Sequence, residues 1–121
     1  MLRGAAFLIV VALLLIMVHV AAEPETEVKL GDTIEVTVKS HLLKSGQLEK
    51  SYVTSPGRLH RPMNDFATRH VETLQFKPQQ RSFWVVITVG IMRTGEDTFR
   101  VMGKPTVKRC YNGNVMFPIG G

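Results

Sequence analysis

Between Arg81 and Lys104 apolar and polar positions alternate. Phe83, Val85, Ile87, Val89 and Ile91 fall at every second position, and successive strand side chains point to opposite sides, so these five residues predict one face of a core strand. The run is rich in aromatic and β-branched residues, which suit a pleated, half-buried surface. Arg93 to Asp97 is polar and carries Gly95, which supplies a turn, and Phe99 and Val101 restart the alternation; the stretch predicts a hairpin. A hairpin alone is marginal in water, so the rest of the chain must supply sheet neighbours and a second layer.

The same period recurs upstream. Ile34, Val36 and Val38 alternate with Thr33, Glu35, Thr37 and Lys39, the signature of a strand with one face in the core and one in solvent. Leu42 and Leu43 precede a turn at Lys44-Ser45-Gly46-Gln47, and Leu48 to Thr54 predicts a short, irregular strand that Ser55-Pro56-Gly57 ends, because proline lacks the donor a central strand needs. Arg58 to Arg69 is polar and basic and reads as a loop or a broken edge strand, and His70 to Phe76 as a pairing strand carrying Val71, Leu74 and Phe76. After the hairpin, Gly103-Lys104-Pro105 predicts a bend and Thr106 to Tyr111 a further strand. Asn112-Gly113 is a turn signal, and Val115, Met116 and Phe117 form a last apolar patch. On this reading no stretch beyond the leader keeps a helical period. Many short strands with frequent turns predict an all-β fold, an antiparallel β-sandwich or barrel, with a sandwich of two sheets the favoured expectation.

The N-terminus follows a different pattern. Arg3 leads an unbroken apolar run from Ala5 to Val18, and Val20-Ala21-Ala22 places small residues at a cleavage position. This is the pattern of a secretory signal peptide over residues 1–22, shorter in its apolar run than the roughly 20 residues a membrane span needs. The expected mature chain, Glu23 to Gly121, is one domain of 99 residues, secreted and extracellular. Its formal charge falls from +5 to +4 with the loss of Arg3. A basic surface attracts sulfated glycans, anionic lipid heads and acidic proteins. Cys110 is the sole cysteine, so no internal disulfide supports the small core. It is either a buried small hydrophobe, the favoured reading, or an unpaired thiol.

The candidate chemistry is sparse. His41, His60 and His70 form no close pair at metal-ligand spacing, and one cysteine does not complete a zinc set, so no metal or cofactor is expected. No nucleophile elbow or paired-carboxylate pattern marks an active site, and the chain reads as a non-enzyme. Arg58, His60, Arg61, Asn64, Asp65, Arg69 and Glu72 gather planar hydrogen-bonding groups that either suit sugar hydroxyls or form a solvated loop of no specific role, the second being slightly favoured by the residues alone. The lone Trp84 points away from Phe83 and Val85 and is either a binding aromatic or a packing contact between sheets, packing being the favoured reading.

Leu30-Gly31-Asp32-Thr33-Ile34-Glu35-Val36, Phe76-Lys77-Pro78 followed by Phe83 to Val89, and Phe99-Arg100-Val101-Met102-Gly103-Lys104 are similar to three strand segments of the galectins, the galactoside-binding lectins. The resemblance spans roughly residues 28 to 109. It implies a sandwich of jelly-roll type and non-catalytic carbohydrate binding, with His60 and Glu72 at positions matching the family's sugar contacts. The family's Trp-Gly pair is missing, so the sugar motif is degenerate. The candidate ligand contacts are therefore His60, Arg61, Asn64, Arg69 and Glu72, and the expected partner is a glycan or glycoconjugate. Two alternatives stand beside this reading: a secreted protein-interaction module, and an electrostatic glycosaminoglycan binder using Arg58, Arg61, Arg69, Lys77 and Arg81. No nucleic acid is expected as a partner.

Overall fold

A computed structural model describes residues 24–120; the expected signal peptide lies outside them. The elements run β1 (Thr33–Leu42), β2 (Leu48–Ser55), α1 (Arg61–Glu72), β3 (Phe83–Arg93), β4 (Phe99–Arg109) and β5 (Val115–Met116). The strands form one antiparallel sheet in the order β2-β1-β3-β4-β5. The fold is thus mostly antiparallel β, as the alternation predicts. Against the sheet's apolar face lies α1, in the layer where a second sheet was expected.

One row of side chains shows how the core is built. Val53, Val38, Ile87, Val107 and Met116 are cross-strand neighbours from one edge of the sheet to the other. Val38, Ile87 and Val107 are wholly buried. Above them the helix inserts Met63, Ala67 and Val71, also wholly buried. These three stand four residues apart, so they make a single stripe down a 3.6-residue helix.

That stripe corrects two expectations. Residues 61–69 are not a loop or edge strand, and residues 70–72 are not a strand; both belong to α1. Pro62 sits in the first turn, where its missing N–H costs nothing and its fixed φ favours the helix. Arg69 and His70 fall in the last turn, next to the negative end of the helix dipole. Asn64, Asp65, Thr68 and Arg69 lie between the apolar positions, which makes the segment read as polar although every fourth residue is apolar. A third correction concerns the hairpin's return strand. The structure continues β4 through Gly103, Lys104 and Pro105, absorbing the irregularity as a register shift opposite Thr88 and Gly90 rather than as a break.

Gly46 pins the β1–β2 turn to the chain that leaves the helix. Its φ is +92°, its carbonyl accepts a hydrogen bond from the Phe76 N–H at 2.9 Å, and a Cβ there would overlap the Phe76 carbonyl. Gly46→Ala is expected to cost about 2 kcal/mol or more, combining left-handed strain with a backbone clash; chemical denaturation measures it.

A second expectation concerns pH. The ring of His70 stacks parallel to Phe66 at 6.3 Å between centroids, and burial lowers its pKa from the ordinary 6.5. The unfolded chain therefore takes up this proton before the fold does. His70 imposes no penalty well above pH 6.5, and its contribution turns unfavourable as pH falls from there through the folded value. Wild type should lose more thermal stability than His70→Gln between about pH 7 and about pH 5.

Candidate ligand-binding face

The five residues singled out from sequence sit on the helix side of the sheet and do not converge. His60 precedes α1, with its Nδ1 3.5 Å from Glu25 Oε1. Glu72 closes the helix and accepts a hydrogen bond from the Ser51 N–H at 3.2 Å, tying α1 to β2. Twelve residues of helical rise put roughly 18 Å between them, so one sugar ring cannot bridge both. Arg61 and Arg69, two turns apart on α1, line one groove of about 420 Å³ with Phe66 and Phe99. Asp65 and Asp97 line the same groove, so its cations face carboxylates. Asn64 serves the helix, its backbone carbonyl accepting from the Thr68 hydroxyl at 3.1 Å.

The opposite face of the sheet gathers a different set. Among the described residues no helix or second sheet lies over it. Pairing of β1 with β3 puts His41 directly across from Trp84, and pairing of β1 with β2 puts Tyr52 across from Lys39. The His41 and Trp84 rings are 4.9 Å apart, Tyr52 meets Trp84 edge-on at 6.3 Å, and Lys39 Nζ lies 5.6 Å from the Trp84 ring centroid. His41 is held by Glu49, whose Oε1 is 3.4 Å from its Nδ1. Trp84 is half-buried and Tyr52 is 48% exposed. The indole is thus flanked by His41 and Tyr52, has the Lys39 ammonium over its ring, and stays partly exposed.

The site offers an aromatic surface bordered by an ammonium, a phenol and an imidazole. An aromatic ring attracts apolar C–H faces and cations. Lysine, tyrosine and histidine side chains supply donors and acceptors around it. Beyond this cluster, Thr37, Thr88 and Thr106 form a cross-strand row on the same face, with the Thr37 and Thr88 hydroxyls 3.5 Å apart. The alternation puts Trp84 on the outward side of β3, where packing between two sheets is the favoured expectation. The open face gives it no second sheet to pack against. The alternation of β3 carried that signal, whereas the neighbours His41, Lys39 and Tyr52 came from strand pairing that the sequence does not spell out.

Cys110 is exposed rather than buried, because it follows the last residue of β4 and contributes its N–H to the Trp84 carbonyl at 3.1 Å. Among the described residues no cluster of three or more His, Cys, Asp or Glu is placed to hold a metal, and no helix is long and apolar enough to cross a membrane. No protein-family model, curated protein sequence or solved structure matches the chain. The functional reading therefore rests on the residues and their geometry.

Proposed function

We propose that this chain is a secreted, non-catalytic glycan-binding domain whose sugar stacks on Trp84 at the open face of the sheet. The single observation that carries the proposal is a partly exposed indole on the uncovered face of the sheet, with His41, Lys39 and Tyr52 around it. A sugar ring has an apolar C–H face for the indole and a rim of hydroxyls for the three polar side chains. The signal-peptide pattern of residues 1–22 supports export, and the galectin-like segments support a sugar as the ligand class. The helix-borne set is left out of this site, since Arg61 and Arg69 share their groove with Asp65 and Asp97. The test is retention of the purified protein on galactose-type and heparin resins. Release by free sugar at constant salt supports the proposal, and no retention on either resin, or release by salt alone, counts against it.

A second reading, a protein-interaction module, is favoured by one observation: Tyr111, Val115, Phe117 and Ile119 are exposed apolar residues at the C-terminal edge, Phe117 at 82%. Phe117→Asp separates the two readings. Glycan retention is expected to survive it, whereas a partner docked on that edge would be lost.

A further inference from the structure

Where β3 begins and β4 ends, the 77–82 loop closes a polar pocket of about 480 Å³. Arg81, Arg109, Gln80 and Tyr111 line it, with Phe83 as its apolar wall, and its lining contains no carboxylate. Arg109 is held in one pose: its guanidinium carbon lies 4.0 Å from the Phe83 ring centroid and 4.8 Å from that of Tyr111, and its Nη2 donates to the Tyr111 hydroxyl. Packing against ring faces leaves the edge of a guanidinium plane available for in-plane hydrogen bonds. Arg109 Nε is buried and has no acceptor among the described residues. A charged donor removed from water and left unpaired is costly. Two guanidinium groups lining one pocket without a counter-charge add to that cost.

An oxyanion relieves the second penalty, since its oxygens accept from the guanidinium groups of Arg81 and Arg109 in charge-assisted pairs. We propose that this pocket binds a tetrahedral oxyanion, a sulfate or phosphate group, either as the free ion or as the ester of a small molecule. Two cations match an anion carrying up to two charges, and donors on separate walls match a group with several oxygens. Phe83 and Trp84 point to opposite faces of β3, so the pocket is distinct from the indole platform, and either site can fail without the other.

The arginine Nε–H resonances in a proton–nitrogen NMR spectrum test this directly. Sodium sulfate or phosphate is titrated against sodium chloride at constant ionic strength. The Arg109 Nε–H peak is expected to shift and saturate, while that of Arg93, already donating to the Gly95 carbonyl at 3.0 Å, stays in place. Glucose 6-sulfate and glucose 6-phosphate form the second arm: tighter binding than the inorganic ions assigns the site to an ester, and weaker binding to the free ion. Arg81→Gln, an exposed position, is expected to preserve the fold and weaken saturation about tenfold, as loss of a charged hydrogen bond implies. An Arg109 peak that stays fixed, one that drifts in step with Arg93, or unchanged affinity in Arg81→Gln would overturn the proposal.

Discussion

Replacing Ile87 with alanine is expected to remove about 2–5 kcal/mol of folding stability, a large share of the roughly 5–15 kcal/mol that a domain of this size holds. Ile87 is wholly buried at the centre of the row from Val53 to Met116, with Val38 and Val107 directly beside it. Truncation loses the transfer energy of the removed carbons and leaves a cavity that flanking strands cannot close without breaking register. With one cysteine in the chain, no internal disulfide offsets the loss. The urea midpoint should fall by more than about 1 M. Val86→Ala, one position along on the open and half-buried face, should cost under about 1 kcal/mol. Equal losses at the two positions would contradict the assignment of the helix-covered face as the core.

Trp84→Ala is expected to weaken glycan binding about thirtyfold or more, which corresponds to about 2 kcal/mol for losing a central aromatic anchor. Its cost to the fold should be smaller, about 1 kcal/mol, because the ring is half-buried and its main contacts are His41, Tyr52 and Lys39 on the surface. The two effects separate experimentally: the free-sugar concentration needed for elution reports binding, and thermal denaturation reports folding. Trp84→Phe should retain part of the affinity, since a smaller ring still stacks. A large fall in melting temperature with unchanged retention would make Trp84 a packing residue and nothing more.

How far the sequence reveals this molecule depends on the range of the interactions concerned. Strands β1 and β3 are legible because an alternation of Ile34, Val36 and Val38, or of Phe83 to Ile91, is written into neighbouring residues and needs no partner to be recognised. Helix α1 is hidden because Met63, Ala67 and Val71 are separated by mostly polar residues, and their common stripe emerges only when the segment is wound at 3.6 residues per turn. Pro62 in the first turn of α1 suits a helix start, a feature the loop reading passes over. The second layer then follows α1 rather than a second sheet. The candidate site shows the same division. The outward direction of Trp84 is local and legible, while its companions His41, Lys39 and Tyr52 reach it through register between strands tens of residues apart. The helix-borne set gathered by sequence proximity spreads along α1, because adjacency in sequence is not adjacency on a helix surface.

Binding to an array of neutral, sialylated and sulfated glycans, read side by side for wild type and Trp84→Ala, tests the central claim most directly. The account expects wild type to retain at least one glycan class and the variant to lose it while melting within a few degrees of wild type. An array on which wild type binds nothing, or on which Trp84→Ala binds as well as wild type, would contradict a glycan site at the open face of the sheet.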